Sequence, residues 1–519
     1  MVSINTSGTA NSENVAASST SDYKPRVAVI GAGSSGLTAM KQCLDDNLEP
    51  VCFEQNSHVG GLWKYEEIDE KNKDPHSSVF RTTVINTSKE TMTFSDYPIP
   101  HDWPTYLPHH LVLKYFEMYA EHFKLDQYIK FRTNVLRVSN LSDDRWKHRW
   151  PKYEGMDNFG GQQIHSHFYR DTKAFENKRV IIVGCGNSGM DISVELSTIA
   201  SQAYIVARRG TLPWILPRLA IFGIPPDHLD NRFLHFLPSK LQNFLREKLS
   251  YFTVGPPPPG LEPKYPISAH HATIKTELYE RLSTGTLIVK QNIAKLNEDK
   301  SVEFVDGTRI EDIDVIIYCT GYHISFPFLD GEILTGGKEI EKFDPEYREN
   351  LAWLYKLVFP PRYKNIAFLG LVQPNGPIFP VTELQARYAT SIIRGHITPP
   401  SPERMDQWVE NYQNFLQKTF YSSARHTVES PFVEMMDLLA KDIGCLPTSK
   451  EVFLKYGFKA WRNYFFGIIT PIQYRLFGRH SWDKAVEWMN IYNGGQSYAV
   501  IGNGVALETG KKDQDKKYD

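Results

Sequence analysis

Two glycine-rich turns, each set between an apolar strand and a helix, constrain this chain more than any other feature. Arg26 leads into Val27-Ala28-Val29-Ile30, a continuous apolar run of the kind buried on both faces of a parallel sheet. The run enters Gly31-Ala32-Gly33-Ser34-Ser35-Gly36, and Leu37 to Leu44 then has helical character. A second strand, Pro50-Val51-Cys52-Phe53, ends at Glu54, 18 residues beyond Gly36. One glycine permits the tight turn, the next lets backbone approach a pyrophosphate, and the third lets helix and strand pack closely. The helix N-terminus faces the phosphates, an attraction of about 0.3–2 kcal/mol per charge. Glu54 can accept hydrogen bonds from ribose hydroxyls. A glycine pattern alone is weak, but strand, helix and acid together predict a dinucleotide site.

The pattern repeats. Arg179-Val180-Ile181-Ile182-Val183 precedes Gly184-Cys185-Gly186-Asn187-Ser188-Gly189 and a helical stretch through Leu196. The next strand, Ala203 to Ala207, ends in Arg208-Arg209, with Arg208 lying 19 residues past Gly189, where an acid would otherwise sit. A carboxylate there would repel a 2′-phosphate, whereas a guanidinium holds it bidentately. A charge-assisted bond is worth about 1.5–3 kcal/mol, or roughly 10- to 100-fold in preference. The alternative is a pair of solvated arginines, and the placement favours NADP over NAD. One acid-ended and one arginine-ended site imply FAD plus NADPH. Asp314 to Cys319, reaching Thr320-Gly321, reads as a returning strand that carries the chain back to the first unit. The expected fold is α/β, two interleaved Rossmann-like dinucleotide-binding domains with the NADP domain inserted in the FAD domain. The expected boundaries are a disordered tail at 1–24, a first flavin part at 25–170, and an NADP domain at 171–317 with an insertion at 213–266. A second flavin part at 318–490 and a polar tail at 491–519 follow.

Composition narrows the partners. The 519 residues carry 58 Lys and Arg against 60 Asp and Glu, too little basic excess for a generic nucleic-acid binder. Five scattered cysteines, at 43, 52, 185, 319 and 445, form no CxxC pair, so neither a zinc ribbon nor thioredoxin-type chemistry is expected, and no metal site. The Ser/Thr/Asn-rich start lacks the features of a signal peptide, and Asn463 to Tyr474 is too short an apolar stretch to cross a bilayer. Within the insertion, Leu241, Phe244, Leu245, Leu249 and Phe252 form a helical apolar stripe beside Lys240, Arg246 and Lys248. Such a stripe more often packs on its own protein than on a membrane surface.

Phe159-Gly160-Gly161-Gln162-Gln163-Ile164-His165-Ser166-His167-Phe168-Tyr169-Arg170, just before the second turn, fits the F-x-G-x-x-x-H-x-x-x-Y-[KR] signature of flavin-containing monooxygenases. Gly60-Gly61-Leu62-Trp63, Asn86-Thr87-Ser88-Lys89-Glu90, Phe94-Ser95-Asp96, Glu383-Leu384-Gln385-Ala386-Arg387 and Gln473-Tyr474-Arg475-Leu476 also resemble that family. The resemblance spans about Pro25 to Trp488. It implies that NADPH reduces FAD, that O₂ adds at C4a, and that the hydroperoxyflavin oxygenates a soft nitrogen or sulfur of a small molecule. The cofactor carries the chemistry, so no protein nucleophile is needed. By resemblance Asn86 sits beside flavin and nicotinamide as the catalytic residue, unless it merely caps a turn, and Leu62, Trp63, Thr87, Gly321 and Gln373 border the cofactors. Met190 and Asp191 extend the contacts of the second turn. His165 and Tyr169 support the crossing between domains.

Two departures from the family matter. Roughly thirty residues are missing after Val138, among them a buried parallel strand ending in a small-Thr-Gly motif. This predicts a weakened flavin domain. The animal members' hydrophobic C-terminal anchor has no counterpart, so the expected location is cytoplasmic, with peripheral contact at the endoplasmic reticulum and a homo-oligomer left open. A Baeyer–Villiger monooxygenase is the nearest rival, although Tyr169-Arg170 replaces the Trp plus Pro or Asp that ends its signature. A non-catalytic, flavin-poor binding relative is another. A disulfide oxidoreductase is disfavoured, because Cys43 and Cys52 fall on helix and strand.

Overall fold

The computed structural model describes residues 2–4 and 24–494, apart from 71, 137, 139–148, 220–222, 325, 327, 328, 330, 331, 336–342, 344, 349, 364 and 421–425. Most of the expected N-terminal tail, the polar stretch 139–148 and the chain beyond 494 lie outside the described residues. In chain order, β1 (Val2–Ile4) precedes β2 (Arg26–Ile30), α1 (Ser34–Asp45) and β3 (Glu49–Phe53). Then come α2 (Lys89–Met92), α3 (His109–His122) and β4 (Ile129–Lys130). The second unit holds β5 (Gln162–His165), β6 (Arg179–Val183), α4 (Asn187–Leu196) and β7 (Gln202–Val206). The insertion carries α5 (Arg232–His235) and α6 (Ser239–Val254), and β8 (Leu287–Lys290) and β9 (Val315–Tyr318) complete the unit. The return to the first unit brings β10 (Ile366–Ala367), α7 (Ile378–Ile393), α8 (Phe432–Ile443), α9 (Ser449–Phe466) and α10 (Ala485–Tyr492).

The second sheet has the order β8-β7-β6-β9-β5, all parallel. Its apolar runs are buried on both faces, with Val180 to Val183 and Ile316 to Tyr318 wholly inaccessible. The signature segment enters here: Gln162–His165 pairs with Val315–Tyr318, so this sheet begins ahead of the boundary expected at 171. The free edge of β9 needs a partner, and β5 supplies it.

The first sheet has the order β10-β1-β2-β3-β4. Strands β2, β3 and β4 are parallel, whereas β1 runs antiparallel to both β2 and β10. Doubly wound sheets of this kind place their fourth strand beside the first. In the second sheet that place belongs to β9, the strand that leads into Cys319-Thr320-Gly321. In the first sheet it is taken by Val2–Ile4, from the segment expected to be a disordered tail. Val2 pairs with Val29, Ser3 with Ala28 and Ile4 with Val27, which satisfies backbone groups on a strand buried in the core. Helices α1, α3, α7 and α8 close over this sheet in one apolar core.

Candidate functional site

The first glycine turn has the geometry of a dinucleotide cradle. Gly31 adopts φ +91°, and a Cβ at Gly36 would collide with the Gly31 carbonyl oxygen. No side chain caps the N-terminus of α1, whose N-cap is Gly33, so its first amides stay open to an anion. Buried Glu54 lies against this turn, its carboxylate accepting from the Ala32 amide at 2.7 Å and the Asn56 amide at 2.8 Å. The Gly60 amide donates to the Ala32 carbonyl at 3.0 Å, which brings Leu62 and Trp63 to the same turn. Leu62 is 51% exposed, and Trp63 stands edge-on to Phe379 of α7 at 6.0 Å. Ser34 and Ser35 are half-buried, and a Cβ at Gly370 would strike the Ser35 hydroxyl, so the loop that runs on to Gln373 also lies close.

The second turn repeats this geometry. Gly184 has φ +117°, a Cβ at Gly189 would collide with the Gly184 carbonyl, and no side chain caps Gly186 at the start of α4. The Gly184 amide donates to the Val206 carbonyl at 3.3 Å, so the exposed Arg208 and Arg209 follow a strand that ends beside the turn, at the carboxyl end of the sheet. Gly321 (φ +82°) follows β9, whose next residue, Cys319, abuts Gly184. Two of the expected contact residues have other partners in the fold. Met190 is fully buried in the apolar core beneath the turn, and Asp191 is committed to Lys275 at 3.0 Å. One place past the third glycine, Met190 points back onto the sheet, and packing takes it away from the open face. Burial pushes the thiols of Cys52 and Cys319 up to about 12, and all five cysteines are free.

Asn86 is half-buried between buried Ile85 and Thr87. The N-cap of α2 is Ser88, so turn capping does not occupy Asn86. The Thr87 hydroxyl is buried without a partner among the described residues, an orphan that a ligand would satisfy. Sequence reasoning missed what holds this loop from outside: Arg218, Asp227 and His228 of the insertion touch Ile85, Ser88 and Glu90. Ordinary polar residues more than 130 positions away carry no local signal of such contacts.

The family-like motifs converge on structure as well. Tyr169 donates to Glu195 of α4 at 2.7 Å, His165 is fully buried, and the Arg170 guanidinium donates to the carbonyls of Glu66, Ser77, His167 and Tyr169. These residues stitch the two units together. Arg475 donates to Ser95 at 2.6 Å and Glu383 at 2.8 Å and pairs with Asp96 at 2.8 Å, while Lys41 of α1 bonds both Asp45 and Asp96. Burial would raise Asp96, but Arg475 and Lys41 hold it down to about 2. Three separate motifs thus meet with α1 in one buried network.

The stripe on α6 does not pack as expected. Leu241, Phe244, Leu245 and Phe252 are exposed, Phe252 by 78%, and among the side chains of α6 only Ser250 is buried. The Phe236 ring of the same insertion lies 5.4 Å from that of Phe465, and Leu454 and Phe458 of α9 are also exposed. No helix among the described residues is long and apolar enough to cross a membrane, and no group of side chains among them could hold a metal.

A family model described as flavin-binding monooxygenase-like matches residues 24–152 and 149–492, two stretches that meet beside the short segment 139–148. Flavin-containing monooxygenase 5 of Cavia porcellus is 36% identical over 504 residues, covering 89% of this chain and 90% of that relative. The N-oxide-forming dimethylaniline monooxygenase 2 of Oryctolagus cuniculus is 33% identical over 499 residues, with the same coverage. Among solved structures, S-allyl-L-cysteine S-oxygenase from Allium sativum shares the fold at a TM-score of 0.60 and 23% identity, over 90% of this chain and 98% of that one.

Proposed function

Because this chain belongs to the flavin-binding monooxygenase-like family and is an FAD-containing, NADPH-dependent monooxygenase acting on nitrogen or sulfur, we propose how its residues divide that work. Gly31 to Gly36 and Glu54 hold FAD, with Leu62, Trp63, Thr87 and Gln373 bordering it. Gly184 to Gly189 and Gly321 hold NADPH, and Arg208 with Arg209 selects its 2′-phosphate. The observation that carries this division is the opposite charge at corresponding strand ends, Glu54 after β3 and Arg208 after β7.

When bound, FAD reduced by NADPH activates O₂, transferring one oxygen atom to a soft nucleophile of a small molecule while the other leaves as water. The protein orients the two rings and excludes water. Asn86 would present its amide to the bound flavin, and the neighbouring Thr87 hydroxyl, buried without a partner among the described residues, would bond the ligand.

Neutral residues at both Arg208 and Arg209 should raise the KM for NADPH about 10- to 100-fold, the worth of a charge-assisted contact, with little change for NADH. Equal effects on both cofactors would show that the pair does not read the phosphate.

The exposed aromatics of α5, α6 and α9 support peripheral contact with a membrane surface, with Lys240 and Lys248 beside lipid headgroups. Co-sedimentation with anionic vesicles tests this, and Phe236→Ser with Phe252→Ser should abolish it. Unchanged recovery in the supernatant with and without vesicles would overturn it.

A further inference from the structure

We propose that the insertion positions Asn86, with Arg218 and Asp227 acting as the positioning residues; this rests on the reading of Asn86 given above. The loop is gripped on both sides of that residue. Arg218 donates to the Ile85 carbonyl at 2.6 Å, one position before Asn86, and its own carbonyl accepts from the Tyr106 hydroxyl. The Arg218 guanidinium also lies 5.4 Å from the Tyr106 ring centroid. Two positions after Asn86, Asp227 accepts from the Ser88 amide at 2.8 Å and from the Thr91 hydroxyl at 2.7 Å. His228 Nε2 lies 3.0 Å from Ser88 Oγ and 3.2 Å from Glu90 Oε2, and Glu90 is wholly buried.

The insertion is itself firmly seated. Arg232 of α5 pairs with Asp437 of α8 at 3.0 Å and donates to Gln473 at 3.0 Å. Burial pushes the His235 imidazole down, but Asp230 and Glu434 lift it to about 9, so this tie to α8 also carries charge at neutral pH. On its other side the loop is held by its own unit, where the Lys89 amide donates to Thr105 at 2.8 Å. Asn86 therefore sits on a span fixed at both ends, one end by a carboxylate from another part of the chain. A reacting group displaced by about 1 Å loses on the order of 100-fold in rate, so a grip on the neighbouring backbone acts on the reaction without touching it.

The test uses the full chain with FAD, NADPH and methyl phenyl sulfide as the thioether, comparing Asp227→Ala, Asp227→Asn, Arg218→Met and Asn86→Ala. Hydrogen exchange of residues 85–88 reads the grip directly. It should quicken about tenfold or more in Asp227→Ala, the loss of one charge-assisted hydrogen bond. In the same variant flavin content and anaerobic reduction by NADPH should hold, while sulfoxide formed per NADPH falls severalfold and hydrogen peroxide rises to match. Asp227→Asn keeps an acceptor oxygen for both donors and should restore exchange and coupling, and Arg218→Met should resemble Asp227→Ala. Unchanged exchange or unchanged coupling in Asp227→Ala would overturn the proposal. Loss of flavin in Asp227→Ala and Asp227→Asn alike would also overturn it, because the role would then be general folding. Asn86→Ala separates the two readings. If it uncouples and Asp227→Ala does not, only the grip fails; if it couples normally, the role of Asn86 fails and the grip loses its part in the reaction.

Discussion

Arg475→Met should destabilise the flavin-binding unit by about 3–5 kcal/mol, because removing one partner of a buried ion network leaves uncompensated charge. Arg475 is 1% exposed and serves Asp96, Glu383, Ser95 and the His480 carbonyl together. Lys41 and Arg387 share this interior, but neither presents the same fork to Glu383 and Asp96. Arg475→Lys should recover only part of the loss, since an ammonium cannot reproduce the planar donors. The pH dependence should change as well. Asp96, held at about 2 despite its burial, lies below its ordinary value of 3.8, so its contribution is present above that value and is lost as pH falls through about 2. Without Arg475 that acid loss should begin at higher pH. Urea unfolding followed by flavin fluorescence, at neutral pH and in acid, measures both effects. A change under about 1 kcal/mol would mean that the network carries no net stability.

Deleting residues 1–24 should have the second large effect, a severalfold loss of bound FAD with a lowered unfolding transition of the flavin unit. Strand β1 is the partner that β2 has on the side away from β3, and it links β2 to β10. Val27 and Val29 of β2 are fully buried, so water cannot replace the lost pairing, and each buried backbone group left unpaired costs about 1–3 kcal/mol. The glycine turn begins where β2 ends, so disorder in this strand reaches the turn proposed to hold FAD. The second sheet fills the same place with β9 and should be unaffected. Grafting about thirty residues from a longer family member after Val138 should supply a parallel strand for that place and make the deletion harmless. Unchanged FAD content after the deletion, measured by absorbance on the purified chain, would contradict this account of β1.

The contrast between the two sheets shows where the sequence is informative. Gly36 and Gly189 were legible because a backbone collision dictates them, and Glu54 because its distance from the turn is set by one helix and one strand. The apolar run of Val180 to Val183 announces a strand buried on both faces. Val2–Ile4 gives no such announcement, since three residues in a polar segment become a strand only where a neighbouring edge is vacant. The stripe on α6 has the period of a packed helix, but period alone does not say whether a partner surface exists. Adjacency to the fingerprint says nothing about which side of α4 a residue occupies, and Met190 lies on the side that packs into the core. Arg218 and Asp227 were invisible for a different reason: their partners are the backbone of Ile85 and Ser88, and backbone atoms leave no pattern of residue types to match.

The central claim is that this chain is an FAD- and NADPH-dependent monooxygenase despite its shortened flavin unit. Its most direct test is to purify the full chain with added FAD, remove the excess, and read flavin absorbance near about 450 nm together with NADPH consumption and sulfoxide formation from a thioether. The account predicts retained flavin, faster consumption with NADPH than with NADH, and sulfoxide that requires both NADPH and O₂. A chain that folds but retains no flavin and forms no sulfoxide would contradict it.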